Sequence, residues 1–313
     1  MAVNDSTKSG CVGSRSNLPD PYYATELGAA YLGDAFELMK GLRDCSVNLV
    51  MTSPPFALNR KKEYGNVSPG EYVSWFKPIA AEIWRVLTKD GSLVIHIGGS
   101  WEKGRPTRSL YHLELLFNLC RNGDRSFYLA QDLYWFNPAR LPSPAQWVTV
   151  KRVRVKDAVD PVWWLSKGTE PKADNRRVIE PYSRAMRKLL ERGYNAGARP
   201  SGHVISEKFQ RYNGGAIPPN LLVIANTQSN GPYLRLCRQA NIKPHPARYP
   251  VELPQFFIKL LTVEGDVVLD PFAGSNATGE SAEILGRRWI AFEQSETYLR
   301  ASRFRFQQPP CNP

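Results

Sequence analysis

A short turn with two prolines carries the clearest chemical signal in this sequence. Thr52-Ser53-Pro54-Pro55-Phe56 follows a run of apolar residues that predicts a buried strand, and the prolines end that strand. Proline lacks an N–H donor, so the turn presents acceptors, namely the hydroxyl oxygen of Ser53 and a carbonyl oxygen such as that of Pro54. Accepting both hydrogens of an aryl amine would turn the nitrogen lone pair toward an electrophile, and Phe56 could stack on the ring. An ordinary loop with two prolines remains the alternative interpretation.

A second candidate site is a turn of small residues. The segment from Asp270 to Gly279, D-P-F-A-G-S-N-A-T-G, lies between a predicted strand and a predicted helix, where a ligand can approach the backbone. It lacks the lysine of an ATP-binding P-loop, and Asn276 replaces the second glycine of a dinucleotide-binding loop. Glu293 ends the next strand, where a carboxylate can accept both ribose hydroxyls, so a nucleoside without a pyrophosphate fits better. Asp270 would suit a cationic group, unless the segment is a purely structural corner.

The charge of the chain favours a polyanionic partner. The formal net charge is +12 and the isoelectric point is near 9.5, which fits nucleic acid better than a neutral membrane or an acidic partner. Residues 140–211 contain 16 Lys and Arg against 7 Asp and Glu, so +9 of the +12 lies in the middle of the chain. A protein with a merely solvated positive face is the alternative.

Cysteine use and hydropathy exclude several classes of protein. The five cysteines are scattered singly, with no CxxC pair and no histidine at zinc-ligand spacing, so we expect no metal site. The first ten residues are polar, and no apolar run approaches the roughly 18 residues of a membrane span. We therefore expect a cytoplasmic protein with free thiols and no membrane association.

Alternating strands and helices would place both turns at one edge of a sheet. The hydropathy pattern predicts strands at 30–32, 47–52, 92–97, 127–136, 267–269 and 289–292, and helices at 36–42, 69–87, 109–120, 184–192, 253–261, 277–285 and 296–306. This alternation indicates an α/β fold with a mostly parallel sheet and helices on both faces.

The same pattern divides the chain into four parts. Residues 1–28 are polar and lack apolar periodicity, which predicts a flexible arm. Residues 29–138 and 241–313 form two halves of one α/β domain, the first with the Pro-Pro turn and the second with the glycine turn. Residues 139–240 separate the halves and are rich in Pro, Gly and Arg, with one convincing helix. They are predicted to form an inserted recognition region.

Taken together, these residues resemble the amino-methyltransferases of DNA. Ser53-Pro54-Pro55-Phe56 resembles their catalytic motif, residues 270–279 their cofactor loop, and His245-Pro-Ala-Arg248-Tyr-Pro250 the segment before that loop. A catalytic motif that precedes the cofactor loop is the order of their beta group, and the resemblance extends from about Tyr31 to Phe306. It implies a Rossmann-like S-adenosylmethionine-dependent methyltransferase fold with permuted motif order and an inserted DNA target-recognition region.

The resemblance implies roles for single residues in binding S-adenosylmethionine. Asp34, in Tyr31-Leu-Gly-Asp34, would bind the adenine amine of this cofactor, and Glu293 would bind its ribose. Residues of the loop would line the remainder of the cofactor: Asp270, Phe272, Gly274, Ser275 and Thr278.

The activity that the resemblance implies is methyl transfer to the exocyclic amine of a base flipped out of duplex DNA. Serine at the first position of the Pro-Pro motif is commoner in cytosine-N4 enzymes, whereas Asp or Asn is usual in adenine-N6 enzymes. We therefore predict a site-specific cytosine-N4 methyltransferase, with adenine-N6 methylation as the alternative and an inactive DNA-binding protein as a second one. RNA and protein amide methyltransferases normally have the cofactor loop first, so the motif order disfavours them.

One position departs from the pattern of these enzymes. Where we expect an acidic residue in the strand after the turn, this chain has His96. His96 could act as a neutral proton acceptor near the transferred nitrogen, or it could occupy a polar position in the core. The predicted catalytic residues are Ser53, Pro54, Pro55, Phe56 and His96.

The basic middle of the chain would contact DNA. Arg152, Arg154 and Lys156 are predicted phosphate contacts, which position the duplex without reading its sequence. Arg199 and His203 could read guanine edges in the major groove. The expected partner is double-stranded DNA of the nucleoid, and a cognate restriction endonuclease could share the site. We expect a monomer or a weak dimer.

Overall fold

A nine-stranded sheet organises the chain. The computed structural model describes residues 17–58, 65–193, 197–198, 200–202, 204–205, 211–227 and 230–307. The sheet is formed by β1 Tyr23–Ala24, β2 Gly28–Leu32, β3 Val47–Thr52, β4 Leu87–His96, β5 Tyr128–Phe136, β6 Val159–Ser166, β9 Leu221–Val223, β10 Val267–Asp270 and β11 Arg288–Glu293, and β7 Gly197–Ala198 pairs separately with β8 Val204–Ile205. The α-helices are α1 Ala35–Lys40, α2 Tyr72–Val86, α3 Tyr111–Cys120, α4 Arg184–Arg192, α5 Pro232–Gln239, α6 Glu252–Leu261, α7 Ala277–Ile284 and α8 Glu296–Ser302.

The order of the strands brings distant segments together. The sheet runs β1-β2-β11-β10-β3-β4-β6-β5-β9. Strands β2, β11, β10, β3 and β4 pair in parallel, whereas β6 runs antiparallel to both β4 and β5. The carboxyl ends of the five parallel strands and the start of β6 therefore lie at one edge of the sheet. The predicted α/β class with a mostly parallel sheet is confirmed.

Helices cover both faces of the sheet. In β3, Val50 packs on one face with residues of α1, α2 and α3, while Leu49 and Met51 pack on the other face with residues of α6, α7 and α8. All three side chains are fully buried, as expected for a central parallel strand. Helix α2 forms because Tyr72, Phe76 and its other apolar residues recur at helical spacing and bury one face. The strand ends are thus left as the place where a ligand can enter.

The start of the described chain differs from the predicted flexible arm. Residues 17–28 are ordered against the fold, because β1 pairs antiparallel with β2. Tyr23 is buried, and its hydroxyl is bonded to Ser302 Oγ (2.7 Å) and to Asn276 Nδ2 (3.0 Å). The predicted arm is therefore wrong for these residues, while residues 1–16 lie outside the described chain.

Strand β6 was not predicted. It lies between β4 and β5 in the sheet, although it belongs to the range 139–240. Pro161 and Asp160 interrupt its apolar run, and a proline argues against a central strand because it lacks the N–H donor. Helix α5 and the short β9 were also missed. The predicted recognition region thus contributes two strands to the sheet, β6 and the short edge strand β9. Residues 139–158 and 167–240 are the parts of this region outside β6.

The predicted helices and most strands lie where the pattern placed them. Strand β3 and helix α4 have the predicted bounds, and the other elements differ by a few residues at their ends. In the described part of the chain, no helix is both long enough and apolar enough to span a bilayer.

Candidate active site

One cavity of about 600 Å³ opens at the edge where the parallel strands end. Most of the predicted catalytic and cofactor-binding residues line it: Asp34, Ser53, Pro54, Pro55, Phe56, His96, Phe272, Gly274, Ser275 and Glu293. The turn at 53–56 and the loop at 270–279 are far apart in sequence, but they face the same space. A small molecule held by the loop and one held by the turn would therefore meet.

A buried hydrogen bond joins the two segments. Thr52 is fully buried at the end of β3, and its Oγ1 donates to Oδ1 of Asp270 at the end of β10, 2.8 Å away. Strands β3 and β10 are parallel neighbours, with Leu49 opposite Val268, so their last residues reach the edge side by side. The bond fixes the position of the turn relative to the loop.

Asp270 and Thr278 differ from the prediction, because neither lines the cavity. Asp270 is 1% exposed, and each of its oxygens accepts two hydrogen bonds from within the protein. Oδ1 accepts from Thr52 Oγ1 and Phe272 N, and Oδ2 accepts from Thr278 Oγ1 and Tyr249 OH. Burial raises the pKa of Asp270 above its ordinary value, against the opposing effect of these bonds. Asp270 therefore holds the loop in place, rather than contacting an ammonium group directly.

Glu293 supports the loop and also faces the cavity. Its Oε2 accepts from the backbone N–H of Gly274 (2.9 Å) and its Oε1 from that of Ser295 (2.8 Å). Gly274 has a φ of +53°, and a Cβ there would lie 3.2 Å from the ring of His245, so only glycine fits without strain. Burial raises the pKa of Glu293 above its ordinary value. Gly274 and Glu293 thus line one part of the cavity, called the passage below, and the Glu293 carboxylate faces it.

Phe272 and Asp34 form another wall of the same passage. The Phe272 ring is 5.8 Å from Trp75 between centroids, and this contact holds its orientation. Asp34 begins helix α1, where Oδ1 accepts from the backbone N–H groups of Phe36 and Glu37. In the described chain no residue donates to its Oδ2, which is left as an acceptor at the cavity. An apolar face next to an acceptor suits a purine ring with an amino group.

A chain of polar side chains runs inward from the Pro-Pro turn. Ser53 Oγ lies 3.0 Å from Nδ1 of His96, whose Nε2 lies 3.4 Å from Oδ2 of Asp160. Arg140 donates to both carboxylate oxygens of Asp160, at 2.9 Å for Oδ1. Burial raises the pKa of Asp160, but hydrogen bonds from His96 and Arg140 outweigh this effect and hold the pKa below its ordinary value. Asp160 is therefore an ionised carboxylate behind His96.

Aromatic rings surround His96. Its ring centroid lies 5.5 Å from that of Phe56, 5.3 Å from Trp135 and 6.1 Å from Tyr249, all in edge-on arrangements. Trp135 lines the cavity and is fixed by a bond from Nε1 to the carbonyl oxygen of Ile224 (2.8 Å). These rings are placed to enclose a planar group beside Ser53.

Several cavity residues had no predicted role. Asn137 is 7% exposed, and its Oδ1 accepts from the backbone N–H groups of Ala139 and Asn226, so its amide NH₂ is the end left for a ligand. Arg140 and Asp160 were missed because they lie in a basic region and at the start of an unpredicted strand. The only sequence signal for Asp160 is a pair of acidic residues, Asp157 and Asp160, just before the apolar run of β6.

The predicted DNA contacts fall into three groups. Arg152 and Lys156 are exposed, as phosphate contacts should be. Arg154 is half-buried, with its guanidinium 3.8 Å from the Trp101 ring and Nη1 bonded to the carbonyl oxygen of Pro106. Arg199 and His203 lie outside the described residues.

Comparisons with known proteins agree with this site. The family model N6_N4_Mtase, whose description is DNA methylase, matches residues 47–304. Type II methyltransferase M.PvuII of Proteus hauseri is 50% identical over 289 residues, which are 91% of this chain and 85% of that protein.

Solved structures share the fold. The structure of PvuII DNA methyltransferase (cytosine-N4-specific) has a TM-score of 0.75 at 44% identity, and covers 93% of this chain and 90% of its own. A complex of M1.HpyAVI with S-adenosylmethionine has a TM-score of 0.51 at 18% identity, over 90% of this chain and all of its own, and supports the fold alone. The predicted Rossmann-like methyltransferase fold is confirmed, and this chain belongs to the N6/N4 DNA methylase family.

Proposed function

We infer that this protein transfers a methyl group from S-adenosylmethionine to the N4 amino group of a cytosine in DNA. The observation that carries this inference is the single cavity shared by the turn at 53–56 and the loop at 270–279, which the Thr52–Asp270 bond holds together. The 50% identity to M.PvuII, together with the cytosine-N4-specific description of the solved PvuII structure, supports cytosine as the base. Serine at the first position of the turn agrees with that choice.

The residues of the passage fit S-adenosylmethionine. At Gly274 an added Cβ would meet His245, and its absence leaves room for a ligand against the backbone. Glu293 would accept the ribose hydroxyls, Asp34 Oδ2 the adenine amine, and Phe272 would pack on the adenine ring. The bound cofactor supplies a methyl group on a positively charged sulfur. Because Glu293 already accepts two backbone N–H groups, its orientation is set before any ligand binds.

The Pro-Pro turn would orient the amine. Ser53 Oγ and the Pro54 carbonyl oxygen can each accept one hydrogen of an –NH₂ group, and neither proline offers a competing donor. Phe56 and Trp135 would hold the pyrimidine ring by stacking or edge contact. The Asn137 amide NH₂ would donate to an acceptor on the ring of the base. Ser53 and His96 are placed to take the proton that the amine must lose.

We also propose that the cytosine leaves the duplex to enter this cavity. In duplex DNA the N4 amino group is base-paired and cannot reach a cavity at the sheet edge, so the cytosine has to be extruded. Extrusion costs a few kcal/mol. Arg152 and Lys156, exposed in the basic part of the chain, would contact phosphates and position the duplex. We propose residues 139–158 and 167–240 as the region that reads the site.

The cellular setting is proposed from the same relatives. M.PvuII carries the description of a type II methyltransferase, and on this basis we propose that a restriction endonuclease with the same target accompanies this chain. The enzyme would act as a monomer or weak dimer on nucleoid DNA in the cytoplasm, where its positive charge favours DNA.

The test is methyl transfer from labelled S-adenosylmethionine to duplex DNA, with mass spectrometry of the digested nucleosides. N4-methylcytosine is the expected product, and N6-methyladenine or no product would contradict the proposal. Ser53→Ala should lower kcat by about 10²-fold or more and leave the Kd for S-adenosylmethionine unchanged. Ser126→Ala, which removes a hydroxyl far from the cavity, is the matched control and should keep full activity.

A further inference from the structure

The carboxylate of Asp160 lies directly behind His96, on the side away from Ser53. Asp160 begins the buried part of β6, and His96 ends β4, next to β6 in the sheet. The two side chains come from strands that run in opposite directions, so their meeting at the edge depends on the antiparallel pairing. Ser53, His96 and Asp160 thus form one line, with links of 3.0 Å and 3.4 Å.

The charge of Asp160 is compensated but still available to His96. Asp160 is 7% exposed, and a buried carboxylate without a partner would be costly. Arg140 donates to both of its oxygens. This bidentate pair compensates the negative charge of the carboxylate and sets the plane in which it lies. Each oxygen can accept a second bond, so Oδ2 remains able to accept from His96.

An ionised carboxylate fixes the proton on the histidine ring. Oδ2 of Asp160 can only accept, so the His96 nitrogen that faces it, Nε2, has to carry the hydrogen. In the neutral ring the other nitrogen, Nδ1, then has a free lone pair. That lone pair faces Ser53 Oγ, which donates its hydroxyl hydrogen to Nδ1 and turns an oxygen lone pair toward the cavity.

We propose that Asp160 is a positioning residue for methyl transfer, which keeps His96 in the tautomer that accepts a proton from Ser53. The effect that this proposal predicts on kcat rests on the proposed function. It also explains the departure at position 96: the carboxylate expected there is supplied by β6, one side chain further from the substrate.

The proton balance follows from this line of groups. Methyl transfer forms a bond from cytosine N4 to carbon and breaks the carbon–sulfur bond, so positive charge passes to N4. The N4–H bond then breaks as Ser53 Oγ takes the proton, while the Ser53 hydroxyl proton passes to His96 Nδ1. The imidazolium that results donates from Nε2 to Asp160, and it later releases its proton to water.

No other group described around His96 is placed to fix its tautomer as Asp160 does. Besides Asp160, the ring and hydrogen-bond contacts described for His96 are with the rings of Phe56, Trp135 and Tyr249 and the hydroxyl of Ser53. Burial raises the pKa of Tyr249 well above its ordinary value, so this phenol stays neutral. Arg140 acts on His96 only through Asp160, since both hydrogen bonds described for its guanidinium go to that carboxylate.

The decisive measurement is the tautomer of His96 by nitrogen-15 NMR of the whole protein. The chain has only four histidines, so the His96 signals can be assigned by their loss in His96→Gln. We expect hydrogen on Nε2 in the wild type. In Asp160→Asn the amide NH₂ can donate to Nε2, so hydrogen should move to Nδ1. Hydrogen on Nδ1 in the wild type would overturn the proposal, whether or not the Asp160 variants fold.

Kinetics provide the second readout. Asp160→Asn should lower kcat by about 10²-fold with the KM for DNA and the Kd for S-adenosylmethionine within about twofold, and Asp160→Glu should restore part of kcat. Asp266→Asn is the matched control, because Asp266 is another mostly buried aspartate in an ion pair, with Lys172, away from the cavity. Wild-type kcat in Asp160→Asn would overturn the proposal.

The two readouts separate this proposal from the proposed function. If the wild type produced no N4-methylcytosine, the proposed function would fail, yet the tautomer of His96 would still report whether Asp160 orients the ring. If methyl transfer occurred but Asp160→Asn changed neither the tautomer nor kcat, only the role of Asp160 would be lost.

Discussion

The sheet edge and the inserted region of this protein are built in opposite ways. At the sheet edge (Thr52 to Phe56, His96, Asp160, residues 270–279 and Glu293), buried or partly buried hydrogen bonds join residues that are 43, 64 or 218 positions apart. In the inserted region (residues 139–158 and 167–240), helix α4 buries none of its side chains, and the Asp174–Arg176 pair joins residues two positions apart. The core thus fixes the geometry of the chemistry, whereas helix α4 and Arg176 present exposed charged groups of the inserted region that a polyanion could contact.

The variant with the largest expected effect on this contrast replaces Asp270, which accepts four hydrogen bonds at the sheet edge. Asp270→Ala should lower the free energy of unfolding by about 3 kcal/mol, because three buried hydroxyls and one backbone N–H lose their acceptor. Methyl transfer should also fall, since the turn and the loop are no longer joined. Urea unfolding at pH 7 measures the stability.

The inserted region supplies the matched control for that variant. Asp174→Ala removes a carboxylate that also accepts several bonds from Arg176, but at the surface. It should leave the unfolding midpoint without measurable change. Equal losses in Asp270→Ala and Asp174→Ala would mean that the two regions do not differ in the way described.

A second test separates backbone strain from crowding. Gly274→Ala and Gly202→Ala both place a side chain at positive φ, +53° and +79°, and each should cost about 1–2 kcal/mol of stability. Only at Gly274 would the added Cβ meet a neighbour, the ring of His245. The Kd for S-adenosylmethionine should rise about tenfold in Gly274→Ala, which is about 1.4 kcal/mol, and stay unchanged in Gly202→Ala. Calorimetric titration of both variants decides this.

The same contrast explains what the sequence could predict. The edge residues follow strands with strong apolar patterns, and parallel strands end at one edge, so Ser53, Gly274 and Glu293 could be brought together from the sequence alone. Asp160 could not, because its place depends on the antiparallel pairing of β6 with β4, whose last residue, His96, lies 64 positions before Asp160. No local periodicity encodes such a pairing, and Pro161 weakens the strand pattern.

The roles of the residues at the sheet edge were harder to predict than their presence there. Asp270 was expected to face a ligand because it ends a strand beside the glycine turn. The structure uses both of its oxygens to bind Thr52, Phe272, Thr278 and Tyr249 instead. Whether a carboxylate at a strand end points outward or inward depends on the donors around it, which come from four places in the chain.

A smaller effect concerns the pH dependence of the segment before the cofactor loop. Burial lowers the pKa of His245 to about 4, whereas its value in the unfolded chain is about 6.5. The folded protein therefore binds fewer protons than the unfolded chain in this window, so stability falls as the pH falls from 6.5 to 4. His245→Gln should remove about 1–2 kcal/mol of this fall, allowing for the partial exposure of the ring. Unfolding curves at pH 7, 5.5 and 4 measure it, and an unchanged pH slope in the variant would contradict it.

The smallest expected effects come from the inserted region, where two neighbouring arginines should behave differently. Arg152 is exposed, so Arg152→Ala should weaken DNA binding a few-fold and reduce the slope of log K against log salt by about 0.9, the contribution of one phosphate contact. Arg154 packs on Trp101 and binds the Pro106 carbonyl oxygen, so Arg154→Ala should cost about 1 kcal/mol of stability with a smaller change in slope. Fluorescence anisotropy over a salt series measures both. If Arg154→Ala changed the slope more than Arg152→Ala, the guanidinium of Arg154 would leave Trp101 to bind DNA, and this part of the inserted region would rearrange on binding.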